Sequence, residues 1–320
     1  MAMSKNGKEY ICQYELLQPF QNQDAGYCRW TSGLKGSRTY FIKECLDPIY
    51  PVKSKSTEER TQRQRKYCNR IEQEKKKLYM AISTASDGNL VHIEEFFRYG
   101  SRYYMTMPMI DGCEVDLKSL SFDQRLLICK TLAHSILCLH RQHIVHADIK
   151  ASNVIMHRTN ANSIVTKLID FDCSFFESTP PESEEDLGGD QVYLSPEANE
   201  FIQGEDVELT CKMDVFSLGL LIHEYLTGEL PYFDQQAYET ASEAVLNGEE
   251  LEISSELPAK YAVMIRQMLH IDPDQRWSME QVFAQLTTQE PQKKEEKKPP
   301  VKKKTEFDPA RAFYMGGDLI

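Results

Sequence analysis

Between Tyr10 and about Ile110 the apolar residues come in short β-like runs around one long helical stretch. From Ser121 onward they recur mainly at helical spacing. Tyr40-Phe41-Ile42-Lys43 reads as a strand, and so do Leu90 to Phe97 and Tyr103 to Met109. Ser56-Thr57-Glu58-Glu59 offers an N-cap with an acid three residues on, and the helix it opens is predicted to run to about Ala81 or Ile82. Later apolar stretches of helical period are Leu126 to Leu139, Val215 to Leu226 and Tyr261 to Met268. The chain thus divides into a strand-rich part, a mainly helical part and a polar tail, without internal repeats.

Composition narrows the setting. With 41% hydrophobic and 27% charged residues the chain is that of a globular protein, and no apolar run approaches the ~18 residues of a membrane span. Met1 to Tyr10 lacks the apolar core of a secretory signal. Nine cysteines, Cys12 to Cys211, sit singly with no CxxC pair, which predicts reduced thiols in the cytoplasm and no zinc site. The net charge of −12 is uneven: Lys293 to Lys304 carries +5, leaving −17 for the remainder. An acidic body argues against nucleic acid as a partner, and the basic run reads as a solvated linker.

Two short runs carry chemistry. His146-Ala147-Asp148-Ile149-Lys150-Ala151-Ser152-Asn153 places an Asp, a Lys two residues on and an Asn five residues on in one loop. After an interval of sixteen residues comes Asp170-Phe171-Asp172, and downstream Ser195-Pro196-Glu197. Phosphoryl transfer asks for such a set: an acceptor for a hydroxyl proton, a cation for the γ-phosphate and oxygen ligands for Mg²⁺. In this order the runs resemble H-R-D-L-x-x-x-N, D-F-G and A-P-E, the signature of eukaryotic-type serine/threonine protein kinases, of which the chain looks like a divergent member. The resemblance implies a two-lobed α+β fold over residues 10–288. The β-rich N-lobe with its long helix would span about 10–110, and the larger helical C-lobe about 111–288.

It also implies roles. Asp148 would orient the substrate hydroxyl and accept its proton, Lys150 would touch the γ-phosphate, and Asn153 and Asp170 would hold metal. Lys43 would pair with the α- and β-phosphates of ATP and be held by a carboxylate of the long helix. Tyr67, Ile71, Leu78 and Ile82 mark one face of that helix; Glu74 lies on the same stripe and Glu72 on its flank, so Glu74 is the expected partner. The alternative is that both are surface acids balancing Lys75 to Lys77. Met107 would sit behind the adenine, Pro108, Met109 and Ile110 would supply backbone groups to it, and Glu114 would reach the ribose. Glu197 would be buried against Arg276, and Asp214 would anchor the catalytic loop; small-molecule kinases lack this part.

Four departures qualify the resemblance. In the phosphate-covering loop, aligned on Gly26, Gln21 and Gln23 stand where glycines belong, predicting a stiffer flap. Phe41 replaces a small residue beside the adenine, Asp172 replaces the Gly of D-F-G, and Ala147 replaces the Arg that receives a phosphorylated activation loop. That loop carries Glu182, Glu184, Glu185 and Asp186, and Asp190 stands where a Thr is usual. The expected function is a serine/threonine protein kinase acting on protein substrates and not gated by loop phosphorylation. The alternatives are a pseudokinase scaffold or nucleotide-binding switch, and more distantly a small-molecule kinase.

Residues 289–304 read as a disordered basic linker and 305–320 as a docking segment. Thr305 has Asp308 three residues on, resembling the phosphothreonine motif read by forkhead-associated domains, and Phe307, Phe313 and Tyr314 supply aromatic anchors.

Overall fold

The structure, a computed structural model, describes residues 3–5, 7–22, 28–52, 59–86 and 88–288. Its first part is an antiparallel sheet of β1 (Met3–Lys5), β2 (Lys8–Ile11), β3 (Tyr14–Leu16), β4 (Cys28–Lys35), β5 (Arg38–Cys45), β6 (Glu95–Tyr99) and β7 (Arg102–Pro108), in the order β1-β2-β3-β4-β5-β7-β6. The two long hairpins close through two-residue turns in which Gly36 and Gly100 both take φ of +63°, a conformation that costs glycine nothing. Strand alternation turns Ile11, Tyr14, Tyr40, Ile42 and Tyr104 to one face, where they form a small core. The Tyr14 hydroxyl satisfies itself there against Thr106 and Glu95, both at 3.0 Å. Helix α1 (Glu59–Ala85) joins β5 to β6 and buries Cys68, Leu78, Tyr79 and Ile82.

The second part is mainly helical: α2 (Phe122–His140), α3 (Pro196–Ile202), α4 (Lys212–Thr227), α5 (Ala241–Leu246), α6 (Ala259–Met268) and α7 (Met279–Thr287). Short antiparallel strand pairs interrupt it: β8 (Ile144–Val145) pairs with β11 (Phe175–Phe176), and β9 (Val154–Arg158) with β10 (Ile164–Leu168). Helix α2 starts at a full capping box, Ser121 and Gln124 each satisfying the other's backbone N–H. Helix α4 is buried along nearly its whole length. A methyl group at Gly219 would stand 3.0 Å from Leu269 and Met268, so glycine there lets α4 approach α6 closely. The main core runs from Leu78 and Ile82 of α1 through Leu132 and Phe171 to α4 and α6, joining both parts of a two-lobed α+β fold.

The strands expected at Tyr40 and Tyr103 are β5 and β7, and the three later apolar stretches lie in α2, α4 and α6. The long helix continues to Ala85, beyond Ile82; residues 56–58 of its expected cap lie outside the described residues. Leu90 to Phe97 is only half a strand. Its first half is extended and buried, but it bridges Leu168 of β10 instead of joining the main sheet, and regular pairing starts at Glu95.

Candidate functional site

The loop between β8 and β9 is shaped from beneath. Asp214, in the first turn of α4 and 1% exposed, accepts the backbone N–H groups of His146 (2.7 Å) and Ala147 (2.9 Å) and meets His140 Nε2 at 3.0 Å. This clamp holds Ala147 at φ +67°, a left-handed conformation unfavourable for a residue with a Cβ. The turn aims Asp148 upward. Its Oδ2 accepts from Asn153 Nδ2 at 2.8 Å and lies 3.0 Å from Lys150 Nζ. Its Oδ1 is buried and has no hydrogen-bond partner among the described residues. A buried carboxylate oxygen without a donor is costly, so this one is open to a donor supplied from outside. Lys150 also comes within 3.9 Å of Asp190.

The same loop is stitched to Asp170-Phe171-Asp172. His146 Nε2 lies 3.1 Å from the Ile169 carbonyl, Ile169 donates to Asn153 O at 3.0 Å, and Ser174 Oγ donates to His146 O at 3.1 Å. The Phe171 ring meets the His146 ring edge-on at 5.2 Å. Asp170 is held at φ +64°, and its Oδ1 accepts from Lys43 Nζ at 2.7 Å.

Lys43, on β5, is buried, with Asp170 at 2.7 Å and Asp172 at 2.8 Å as its ion-pair partners among the described residues. Burial by itself would lower the pKa of this ammonium; the charges of Asp172 and then Asp170 outweigh it and hold the group above the ordinary lysine value. Burial would likewise raise the Asp172 carboxyl, but the Lys43 charge and hydrogen bond, then Lys75, bring it below the usual carboxylate value.

Glu74 does not hold Lys43, a correction to the sequence reading. Its side chain is 60% exposed and lies 3.9 Å from Arg70, while Glu72 pairs with Lys76 at 2.6 Å. Tyr67, used to mark the inward stripe, is exposed, whereas Cys68 and Tyr79 are buried. Leu78 and Ile82 are buried as expected, so the buried face is rotated by only about half of the ~100° between neighbouring residues. Lys75 lies at its centre, and its Nζ donates to the Asp172 carbonyl at 2.7 Å. The alternative weighed from sequence, two surface acids, describes Glu74 correctly.

At the strand ends, Met107 is buried opposite Phe41, and Tyr40 stands opposite Pro108. Met109 N–H donates to Thr39 O at 3.1 Å, so the bond holding this end of the ladder does not need the N–H that Pro108 lacks. Ile110 is half-buried and Glu114 exposed on the segment that follows. Phe41 shares a sheet face with Lys43 and with Trp30, which lies opposite Lys43; the Phe41 and Trp30 rings stack at 5.3 Å. Trp30 and Lys75 were missed in the sequence, although strand alternation from Lys43 points to the first and a correctly centred stripe to the second. Gln21 bridges Trp30 through backbone bonds of 2.7 and 2.9 Å; Gln23 and Gly26 lie outside the described residues.

Beneath the site, Arg276 is 2% exposed and grips Glu197 through two bonds of 2.7 and 3.0 Å. Its remaining N–H groups donate to the carbonyls of Lys212, His270 and Ile271.

A protein kinase domain family model matches residues 41–286. The chain belongs to the protein kinase family. Among similar proteins, the Aurora kinase of Schizosaccharomyces pombe is 31% identical over 152 residues, covering 48% of this chain and 39% of the relative. The ovarian-specific serine/threonine-protein kinase Lok of Drosophila melanogaster is 30% identical over 189 residues, covering 56% and 38%. Serine/threonine-protein kinase ppk11 of S. pombe is 29% identical over 163 residues, covering 48% and 49%. The match thus spans less than half the length of each of these relatives. No described helix is long and apolar enough to cross a membrane.

Proposed function

We propose that the chain transfers the γ-phosphoryl group of ATP to serine or threonine hydroxyls of protein substrates, without gating by phosphorylation of its activation loop. The observation that carries this reading is the buried Oδ1 of Asp148, without a hydrogen-bond partner among the described residues, beside Lys150. In this reading Asp148 orients the acceptor hydroxyl and takes its proton, while Lys150 offsets charge on the transferred group. Lys43 holds the α- and β-phosphates. Asn153 spends its Nδ2 on Asp148, and Asp170 engages Lys43 through Oδ1, so an amide oxygen and a carboxylate oxygen are available as hard ligands. That donor set fits Mg²⁺, which takes few protein oxygens and fills its octahedron from water and phosphate. When bound, Mg²⁺ supplies charge neutralisation at the phosphoryl oxygens. Pro108 to Ile110 face the adenine with backbone groups, and Glu114 the ribose. Nine free thiols support a reducing, cytoplasmic setting.

Independence from loop phosphorylation is supported at Ala147, whose N–H is spent on Asp214 and whose side chain carries no charge for a phosphate. The loop's own Glu182 lies 3.8 Å from Arg70 of α1. Replacing Ser178, Thr179 and Ser183 together by Ala is expected to leave the rate within about threefold, under ~1 kcal/mol of barrier. A collapse in rate would show that another cation receives a loop phosphate.

The decisive experiment incubates the purified chain with Mg-ATP, with Asp148→Ala as control, and maps phosphosites by mass spectrometry. Transfer that vanishes in the control supports the reading. Nucleotide binding without transfer would favour the scaffold or switch, to which the Phe41–Trp30 stack and Gln21 lend support.

The tail is proposed to capture a partner, with Thr305 as an autophosphorylation site for a forkhead-associated or similar domain and Phe307, Phe313 and Tyr314 as anchors; it lies outside the described residues. Deleting residues 289–320 is expected to spare folding and activity on a generic substrate while weakening partner capture. Loss of generic activity would assign the tail to the catalytic body.

A further inference from the structure

In related kinases, as the sequence resemblance implies, the phosphate-binding lysine is steadied by a carboxylate on the long N-lobe helix. Here the helix presents a cation at that place. Lys75 is half-buried at the centre of the inward stripe of α1, flanked along the helix by Cys68, Tyr79 and Ile82. Its Nζ donates to the Asp172 backbone carbonyl at 2.7 Å and stands 5.8 Å above the Tyr79 ring. The carboxylate comes from the other side: Asp172 Oδ2 accepts from Lys43 Nζ at 2.8 Å and from the Cys28 thiol at 3.4 Å. Asp172 is the residue that stands where the family motif has glycine.

We infer that Asp172 is the positioning residue for Lys43, taking the part a helix glutamate plays in related kinases, and that Lys75 is its obligatory counter-charge in a clamp of reversed polarity. Charge balance explains why the two changes belong together. Asp170 and Asp172 face Lys43 and Lys75, two negative groups against two positive ones. With a glutamate in place of Lys75, three carboxylates would crowd one ammonium; with a glycine in place of Asp172, two lysines would share one carboxylate. Either single change leaves an unbalanced charge in a largely buried site, which is costly. The double change leaves Asp170 and the new helix carboxylate against Lys43, the arrangement the family resemblance implies, and so returns the positioning carboxylate to the helix. In this arrangement the placing of Lys43 depends on the activation segment directly, and α1 enters only through the hydrogen bond from Lys75.

This inference rests on the proposed nucleotide-dependent function, so its test is read on binding as well as on turnover. The full chain, Asp172→Gly, Lys75→Glu and the double variant are compared for affinity toward a fluorescent ADP analogue with Mg²⁺ and with EDTA. Turnover and thermal unfolding are followed in parallel. Asp172→Gly and Lys75→Glu are each expected to weaken analogue binding roughly tenfold and to lower kcat/KM on the order of 10²-fold, the cost of misplacing a phosphate-holding group. The double variant is expected to recover to within about fivefold of the parent in both. A double variant no better than the worse single, or an Asp172→Gly protein that binds like the parent, overturns the inference. So does an effect of Asp172→Gly that disappears in EDTA, since Asp172 would then be a metal ligand. Should Lys75→Glu fail to fold, Asp172→Asn, which keeps the shape and removes the charge, is expected to weaken analogue binding by the same roughly tenfold, and unchanged binding rejects the clamp. If the parent binds nucleotide and the cycle holds without phosphate transfer, the phosphotransfer reading fails and the clamp stands; if transfer occurs and the cycle shows no coupling, the reverse holds.

Discussion

Replacing Asp170 by Ala is expected to lower phosphotransfer by at least ~10²-fold, the largest effect on activity foreseen for a single side chain outside the Asp148 control. Two losses combine. The proposed metal site keeps only the Asn153 oxygen, and charge stabilisation of that kind contributes several kcal/mol in the transition state. Lys43 also loses a partner at 2.7 Å and rests on Asp172 alone. A further reason to expect severity is the backbone: Asp170 is held at φ +64°, and its Oδ1 lies 3.4 Å from the Asp172 N–H, so the carboxylate helps shape the turn that carries it. Initial-rate measurements over a range of Mg²⁺ concentrations check this. Residual activity above a tenth of the parent would remove Asp170 from its assigned role.

The largest effect on stability is expected from Arg276→Met. The guanidinium is enclosed, satisfies both Glu197 oxygens and donates to three backbone carbonyls. Taking it away leaves a buried carboxylate uncompensated, which costs about 3–5 kcal/mol. In a domain of this size that corresponds to a Tm lower on the order of 10 °C. Replacing both partners, as in Glu197→Leu with Arg276→Met, removes the uncompensated charge, and the double variant is expected to melt above the Arg276→Met protein. Thermal unfolding of the three proteins decides the matter; an Arg276→Met protein within about 1 kcal/mol of the parent would mean that water reaches Glu197.

Much of this was legible in the chain because local chemistry and tertiary role coincide. The Asp148 loop and Asp170 sit in short contiguous motifs, while the Glu197–Arg276 pair, whose members lie 79 residues apart, was legible through the family resemblance. The strand around Lys43 alternates because one face packs on a core, and helices α2, α4 and α6 stand out as sustained apolar stretches because they pack into the main core. The reading failed where two elements must be placed against each other. The face of α1 that meets Lys43 depends on a rotation of less than one residue, and an exposed Tyr67 looked as apolar as a buried one. The first half of the Leu90 to Phe97 run is buried and extended, as a strand would be, but whether it pairs with β7 or with β10 is a property of the assembled fold. Asp172 was legible as a departure from the motif; that it meets Lys43 and Lys75 was not, since those residues lie about a hundred positions upstream.

The grip of Asp214 on two consecutive amides has a consequence for how the domain breathes. Segments open locally according to what they are packed into, and loops ordinarily belong to the least stable tier. Here the loop carrying Asp148 is bonded to the first turn of a helix enclosed by the main core, while the flap strands rest on a separate small cluster of Ile11, Tyr14, Tyr40, Ile42 and Tyr104. The two halves of the proposed site therefore rest on different apolar clusters. Fluctuations that loosen the proposed hold on a nucleotide are expected to leave Asp148 where it stands, so the geometry of the proposed chemical step would outlast the closing of the cleft as the protein is warmed.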